Sequence, residues 1–322
     1  MTMQQPLERY PLVEARNIYK VFHTGRNKLH ALKDISLSIY PGETFGLVGE
    51  SGSGKSTLAR VLLKLHSSTK GEIFFDGNNI TNYQDVQMRQ HRQKMQIIFQ
   101  DPYSSLFPHL SVWANITEPI VLHNKHVSRQ ERMEKAKYLM ELVGLNNSMM
   151  NAYPHELSGG QQQRVGIARA LALNPKFIVC DEPVSALDVS IQAQILKLLQ
   201  NLQEEFGLTY LFIAHNLAVI ESFSTRVGVM YLGKIVETAK TEQLYDEPLH
   251  PYTKALLSAV PKVSPERSQD RIILEGEVPS PLNPPTGCPF HTRCAYVIDR
   301  CKTEDPQFRE VGNDRFVACH LI

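Results

Sequence analysis

GESGSGKS, at residues 49–56, matches the phosphate-binding pattern GxxxxGK[ST] at every defined position. The apolar run 44–48 precedes it, and the helix-compatible run STLARVLLKL follows from Ser56. In this strand–loop–helix context, backbone N–H groups of the loop surround phosphates and the helix points its positive end at them. Lys55 is placed to reach the β- and γ-phosphates, and the Ser56 hydroxyl to bind Mg²⁺. The predicted ATP-binding residues of this loop are Gly49, Glu50, Ser51, Gly52, Ser53, Gly54, Lys55, Ser56 and Thr57.

A second motif is the apolar run 177–180 with the two acids that follow it, Asp181 and Glu182. The carboxyl ends of parallel strands deliver such carboxylates to a bound metal ion. We predict that Asp181 holds Mg²⁺ and that Glu182 orients and deprotonates the attacking water. Taken alone, the motif is equally typical of an ordinary strand terminus. The phosphate loop earlier in the chain favours the functional interpretation.

Length and composition favour a globular protein with one large α/β domain and a smaller appendage. The 322 residues are 42% hydrophobic and 21% charged. No run approaches the ~18 apolar residues of a membrane helix, and the start, MTMQQPLERY, lacks the basic region and apolar core of a secretory signal. The 34 Lys plus Arg balance 33 Asp plus Glu, without the basic surplus that nucleic-acid binding needs. We expect a cytoplasmic protein that spans no membrane and has no nucleic-acid partner.

Strand-like and helix-like segments alternate along most of the chain, which predicts a sheet covered by helices. From Pro102 to Pro154 the pattern turns helical, and Ser128 with Glu131 forms a capping-box pair. We expect an inserted helical subdomain at about 101–157. The predicted strands are 13–22, 31–39, 44–48, 73–75, 95–99, 176–180, 208–214, 227–230 and 234–237.

The pentapeptide Leu157-Ser158-Gly159-Gly160-Gln161 lies between the phosphate loop and the acidic strand end. These three motifs, in this order, resemble those of the ATP-binding cassette (ABC) ATPases. The resemblance implies a P-loop NTPase core of α/β class with an antiparallel β subdomain and an inserted helical subdomain. It also implies that the pentapeptide binds ATP in trans. Ser158 and Gly160, at the N-terminus of a helix that begins at Gly159, would cap the γ-phosphate held by a second subunit, so that hydrolysis needs a dimer.

The same resemblance implies roles for residues elsewhere in the chain. Gln100, after the strand 95–99, is similar to the Q-loop glutamine that contacts Mg²⁺ and water and senses the membrane partner. His215 is similar to the switch histidine that contacts the γ-phosphate. Phe22 stands where the family has an aromatic that stacks on adenine, and a place in the hydrophobic core is the alternative. The D-loop at the dimer interface is Ser185, Ala186, Leu187 and Asp188. The implied catalytic residues are Glu182, His215 and Gln100, and the implied Mg²⁺ ligands are Ser56, Gln100 and Asp181.

The sequence becomes rich in proline from Pro248 onward. Its motifs resemble the C-terminal extension on ATPase subunits of oligopeptide and dipeptide importers of the Opp and Dpp type. We therefore predict an ABC ATPase domain at 11–247 and a Pro-rich, Cys-containing extension at 248–322. The motifs that carry this resemblance are HPYT at 250–253, GEVPSP at 276–281, Pro284-Pro285, GCPF at 287–290 and Arg293-Cys294.

Membership of this branch implies an ATP-hydrolysing, energy-coupling subunit of a prokaryotic importer for di- and oligopeptides. The implied partners are a second ABC ATPase subunit (identical or homologous), two integral-membrane permease subunits and an extracytoplasmic substrate-binding protein. The implied location is the cytoplasmic face of the inner membrane, as a peripheral protein. Nickel and glutathione importers of the same branch are alternatives for the cargo.

Two other classes of protein compete with the transport hypothesis. Soluble ABC ATPases of translation or DNA repair usually join two cassettes or carry a long coiled coil, and this sequence has neither feature. A small-molecule P-loop kinase would leave LSGGQ and the His215 region unexplained.

Four of the five cysteines crowd into the last 35 residues, with the spacing C-x5-C-x6-C-x17-C. They are Cys288, Cys294, Cys301 and Cys319, whereas Cys180 lies in an apolar strand and is predicted to be core. In a reducing compartment four thiols favour a metal site over disulfides. The branch carries a [4Fe–4S] cluster in this region, which is the implied cofactor beside ATP and Mg²⁺. Zinc and unliganded thiols are the alternatives, and His291 or His320 could replace one ligand.

Overall fold

The computed structural model describes residues 10–25, 27–124, 126–260 and 272–322. The strands are β1 (Val13–Thr24), β2 (Asn27–Ile39), β3 (Thr44–Val48), β4 (Lys70–Phe75), β5 (Asn78–Asn79), β6 (Met95–Ile98), β7 (Phe177–Asp181), β8 (Thr209–Ile213), β9 (Arg226–Tyr231), β10 (Lys234–Lys240), β11 (Arg309–Gly312) and β12 (Arg315–Val317). The helices are α1 (Lys55–Leu62), α2 (Asp85–Lys94), α3 (Pro102–Ser105), α4 (Val112–His123), α5 (Arg129–Leu142), α6 (Gly159–Leu171), α7 (Val189–Phe206), α8 (Leu217–Phe223), α9 (Thr241–Asp246), α10 (Pro251–Ser258) and α11 (Asp299–Thr303).

The main sheet has eight strands in the order β11-β12-β10-β9-β3-β8-β7-β6. Its five strands from β9 to β6 run parallel. Every residue of β3, β7 and β8 is buried, because helices and the second sheet cover both faces. Side chains alternate between two cores along β8: Tyr210 and Phe212 join one apolar cluster, and Leu211 and Ile213 join the other. The predicted α/β class is confirmed.

A second sheet of four strands, in the order β2-β1-β4-β5, packs beside the phosphate loop. All its strand pairs are antiparallel. The predicted antiparallel β subdomain is present. It places Phe22, near the end of β1, at the edge of the cleft described below.

Helices α3 to α6 lie between β6 and β7 and pack on one another through α4, α5 and α6. Helix α5 starts at the predicted capping box: the Glu131 N–H donates to Ser128 Oγ (3.2 Å), and the Ser128 N–H donates to Glu131 Oε2 (2.7 Å). Helix α6 begins at Gly159 as expected. The limits of the helical subdomain, about 101–157, stay a prediction.

The C-terminal part of the chain is joined to the main sheet by β12, which pairs antiparallel with β10. The contact is reinforced by Glu237 of β10, which is 0% exposed and accepts from Arg315 Nη2 at 2.9 Å. Glu237 also accepts the N–H groups of Leu249 (3.0 Å) and His250 (2.9 Å). Residues on both sides of the predicted boundary at 248 therefore form one sheet. That boundary also stays a prediction.

In the described parts of the chain, no helix is both long and apolar enough to cross a membrane.

Candidate functional site

The phosphate loop leaves β3 and enters α1 at Lys55. Gly49 (φ 151°) and Gly54 (φ 105°) adopt backbone conformations that favour glycine. A Cβ at Gly49 would lie 2.1 Å from the Met230 carbonyl oxygen, and a Cβ at Gly54 would lie 2.7 Å from that of Ala31. The two glycines therefore let the loop approach neighbouring backbone closely.

Lys55 is buried beneath this loop. Its ammonium donates to the carbonyl oxygens of Gly49 (2.7 Å) and Glu50 (3.1 Å). Burial lowers the pKa of Lys55, and the nearby carboxylates of Glu182 and Asp181 oppose that change. The ammonium is thus held by the loop that is predicted to surround the phosphates.

The predicted Mg²⁺ ligands lie close to the phosphate loop. Ser56 Oγ donates to Asp181 Oδ1 at 2.9 Å, across 125 residues of sequence. The third predicted ligand, Gln100, donates from its Nε2 to Glu182 Oε2 (2.8 Å). Hydroxyl, carboxylate and amide oxygens are the donors that Mg²⁺ prefers, so the chemistry of this set fits the ion.

Glu182 lies where the carboxyl ends of three neighbouring strands meet. Gln100, which contacts one of its oxygens, follows β6. His215 follows β8, and its Nε2 lies 2.5 Å from Glu182 Oε1. Glu182 itself follows β7 in the left-handed region, with φ 52°. Such a conformation costs about 1–3 kcal/mol in a residue other than glycine and often marks a functional position. A hydrogen bond from the Glu182 N–H to the Ile213 carbonyl oxygen (3.0 Å) helps to hold it.

These groups border one cleft of about 480 Å³. Phe22 lines this cleft and is half-buried, and it is not a member of either buried apolar cluster. Its ring lies 5.5 Å from that of His66, edge-on, and Lys20 Nζ is 4.7 Å from its centroid. Stacking on adenine stays a prediction. The predicted residues on the cleft wall are Phe22, Ser51, Gly52, Gly54, Lys55, Ser56, Thr57, Gln100, Glu182 and His215.

Sequence reasoning missed several residues of this site. Leu29, His30 and Pro281 also line the cleft, and Pro281 comes from the C-terminal extension. Arg293 and Tyr252 contact Glu50 of the phosphate loop. Leu29 reaches the cleft because it pairs with Phe22 across the hairpin of β1 and β2. Pro281, Arg293 and Tyr252 come from a remote part of the sequence, which no local pattern could connect to the site.

The LSGGQ segment lies outside the walls of this cleft. Ser158 is the N-cap of α6: the Gln161 N–H donates to its Oγ (3.4 Å), and its own N–H donates to Gln161 Oε1 (2.9 Å). Ser158 and Gly159 are exposed, whereas Leu157 is buried. Ser185, Ala186 and Asp188 of the predicted D-loop are also exposed, and Leu187 is half-buried. Binding in trans stays a prediction.

The four C-terminal cysteines lie near one another. Burial raises the pKa of Cys288 to about 11, and the charges of Cys301, Cys319 and Cys294 add to the rise. The Cys288 N–H donates to the Cys301 carbonyl oxygen (2.9 Å). Even so, the described residues contain no group of three or more His, Cys, Asp or Glu side chains arranged to hold a metal. The expected closed metal site is therefore not shown. Thiols do not attract one another, so a set of ligands is generally brought together by the metal that it binds. Cys180 is buried, as predicted.

Comparison with known families gives two matches within this chain. Residues 32–185 match the ABC transporter family, and residues 236–301 match the family described as oligopeptide/dipeptide transporter, C-terminal region. The oligopeptide transport ATP-binding protein AppF of Bacillus subtilis (strain 168) is 50% identical over 320 residues. The alignment covers 96% of this chain and 97% of AppF.

Solved structures share the fold of the cassette. A dimeric post-hydrolysis state of the ATP-binding cassette MJ0796, bound to ADP and Pi, has a TM-score of 0.66 at 34% identity, covering 71% of this chain and 98% of MJ0796. The structure of cbiO1 from Clostridium perfringens, part of the ABC transporter complex cbiONQ, has a TM-score of 0.66 at 28% identity. That alignment covers 74% of this chain and 91% of cbiO1.

Proposed function

Because the chain belongs to the ABC transporter family, we propose that it is the ATP-hydrolysing, energy-coupling subunit of a prokaryotic importer for di- and oligopeptides. The observation that carries the proposal is the meeting of six side chains at the carboxyl edge of the parallel sheet. Peptide as the cargo is supported by the match to the oligopeptide/dipeptide transporter C-terminal region and by the name of AppF. The six side chains are those of Lys55, Ser56, Gln100, Asp181, Glu182 and His215.

Each of these residues has a task in hydrolysis. Lys55 and the loop N–H groups would bind the β- and γ-phosphates, while Ser56 and Asp181 would hold Mg²⁺, which neutralises phosphate charge when bound. Glu182 would accept a proton from the attacking water. Its two oxygens contact Gln100 Nε2 and His215 Nε2, and each oxygen keeps a lone pair that can accept from the attacking water.

We propose that the LSGGQ segment completes the site of a second ATPase subunit. The support is the exposure of Ser158 and Gly159 and the absence of the segment from the walls of the cleft of its own chain. Ser158 Oγ and the first N–H groups of α6 would then face the γ-phosphate across the dimer interface. ATP would favour the closed pair and hydrolysis would reopen it.

We further propose that permease subunits dock on a groove beside Gln100, which would place the chain peripherally at the cytoplasmic face of the inner membrane. The groove has a volume of about 380 Å³ and is lined partly by residues of α4 and β6. Phe99, Phe107 and Leu122 line the groove and are exposed, and exposed apolar side chains that lie together are typical of a protein–protein interface. Closure of the ATPase pair would move the docked permeases.

The domain limits are also proposals: an ATPase domain at 11–247, with its helical subdomain at about 101–157, and an extension at 248–322. The extension would distinguish this branch from shorter cassettes. MJ0796, for comparison, aligns with only 71% of the chain.

Reconstitution tests the proposed function. The purified chain, combined in proteoliposomes with permease subunits and an extracytoplasmic binding protein, is expected to hydrolyse ATP faster when peptide is added and to take up labelled peptide. Stimulation by glutathione or nickel instead of peptide would assign the cargo to an alternative of the same branch. ATP hydrolysis that never responds to permeases would favour a soluble ABC ATPase.

For the four-cysteine segment we propose a [4Fe–4S] cluster, with zinc as the alternative. The support is the donor set: four soft thiols, buried or half-buried, in one neighbourhood. No step of ATP hydrolysis is assigned to this group.

Anaerobic purification with absorption spectra and metal analysis tests the cluster. A broad band near ~400 nm with about four irons and four sulfides per chain is the expected result. Replacing all four cysteines by serine should abolish both, whereas Cys180→Ser should leave them unchanged. One zinc per chain, or no metal, would contradict the cluster.

A further inference from the structure

We infer that Arg293, in the C-terminal extension, is a positioning residue of the ATP site, which it serves by holding Glu50 and with it the phosphate loop. The inference rests on the proposed function, because it concerns the same ATP. It makes the extension a part of the nucleotide site, although the extension supplies none of the predicted ATP-binding residues.

The contact between Arg293 and Glu50 is bidentate. Nη1 donates to Glu50 Oε2 at 2.7 Å, and Nη2 donates to Oε1 at 3.2 Å, across 243 residues of sequence. The Arg293 side chain is 7% exposed and that of Glu50 is 28% exposed, so solvent screens the pair less than it would a fully exposed one. Paired, charge-assisted hydrogen bonds of this geometry are among the stronger polar contacts in proteins.

Glu50 is held at its other polar groups as well. Its N–H donates to the Tyr252 hydroxyl (2.9 Å), which belongs to helix α10. Its carbonyl oxygen accepts from the Lys55 ammonium (3.1 Å) and from the Ser53 N–H (3.2 Å). A continuous chain of contacts therefore runs from Arg293 through Glu50 to Lys55, the residue predicted to bind the β- and γ-phosphates.

The segment that carries Arg293 is held in place by buried aromatic side chains. Phe290, three residues before Arg293, is 1% exposed. Its ring packs against Tyr231 and Tyr252, with centroids 5.3 Å and 5.4 Å away. This aromatic cluster joins the segment around Phe290 to β9 of the main sheet and to α10, which belongs to the same extension. The packing of Phe290 therefore restricts the backbone from which the Arg293 side chain extends, since displacing a buried ring is costly.

The pair also matters for charge. The Glu50 carboxylate stands on a loop that must receive a polyanion, and an uncompensated negative charge there would repel the triphosphate. Arg293 neutralises it. Loss of Arg293 would free the Glu50 side chain, loosen the carbonyl that orients Lys55 and leave a carboxylate near the phosphates.

The experiment measures ATP affinity on the purified full chain, with a fluorescent ATP analogue and Mg²⁺. Arg293→Ala is expected to raise the Kd about tenfold, the loss typical of a charge-assisted contact. KM for ATP should rise in parallel, with a smaller change in kcat. Arg293→Lys should recover part of the affinity, because lysine keeps the charge but cannot bind bidentately.

The matched control is Arg300→Ala, since Arg300 lies in the same segment and pairs only with the exposed Glu304 among the ion pairs described. Its Kd should stay within about twofold of the parent value. The double variant Glu50→Ala/Arg293→Ala should bind ATP no more weakly than Arg293→Ala, because the two residues act as one unit.

Two results would overturn the inference: an Arg293→Ala Kd equal to that of Arg300→Ala, or additive effects in the Glu50/Arg293 cycle. If Arg293→Ala fails to fold, the Kd values of Arg293→Lys and Glu50→Ala are compared with that of Arg300→Ala in its place. Failure of the parent protein to bind ATP would instead contradict the proposed function.

Discussion

Glu182→Gln is expected to abolish ATP hydrolysis and leave ATP binding intact. The substitution keeps the shape of a side chain that is 7% exposed, but it removes the carboxylate that would take the proton from water. A positioned general base contributes about 10²–10⁴-fold to a rate, so kcat should fall by that factor. Steady-state hydrolysis and equilibrium binding of the fluorescent ATP analogue measure the two properties separately. Since ATP would bind without being hydrolysed, the closed dimer should also accumulate and be visible by gel filtration.

Glu204→Gln is the matched control for this prediction. Glu204 is exposed on α7 and lies outside the walls of the cleft. Its substitution removes the same charge and should leave kcat unchanged. Hydrolysis by Glu182→Gln at the parental rate would remove Glu182 from the role of base, and loss of ATP binding in this variant would show that the residue mainly shapes the site.

Glu237→Ala is expected to cause the largest loss of stability among the substitutions considered. Glu237 is 0% exposed and accepts hydrogen bonds from Arg315 and from two backbone N–H groups. Removal of its carboxylate leaves the nearly buried guanidinium of Arg315 without its charge partner. Breaking one side of a buried pair typically costs about 3–5 kcal/mol, so the free energy of unfolding in urea should fall by about that amount. Limited proteolysis should then cut the extension first, because β12 loses the buried ion pair that adds to its backbone pairing with β10.

Glu242→Ala provides the comparison, since Glu242 is an exposed acid in the first turn of the neighbouring helix α9. Its cost should be about 0.3–1 kcal/mol, the value of a favourable charge at a helix N-terminus. Glu237→Ala/Arg315→Ala should be less destabilised than the sum of the single variants, because no unpaired charge remains. A loss for Glu237→Ala no greater than that for Glu242→Ala would show that this buried network does not hold the extension in place.

Local patterns in the sequence predicted much of this architecture. The strands that precede the phosphate loop and the two acids are present as β3 and β7, and α6 begins at Gly159. These predictions succeeded because a few adjacent residues determine each element: apolar runs form buried strands, and the LSGGQ serine caps its own helix. A closed four-cysteine metal site was also predicted, but the described residues contain no group of three or more side chains arranged to hold a metal. Spacing alone does not determine how four thiols in irregular structure are arranged.

The sequence by itself determined which chemical groups are available and the order in which they occur: a phosphate loop, LSGGQ, two acids and a histidine. Only the tertiary structure decided which of them meet. Gln100, Glu182 and His215 come together because β6, β7 and β8 are parallel neighbours, while Ser158 and Gly159 of LSGGQ are exposed at the start of α6. Arg293 reaches Glu50, and β12 reaches β10, through contacts between remote segments. Such pairings leave no periodicity or motif in the sequence, since they depend on the packing of whole elements rather than on the conformation of neighbouring residues.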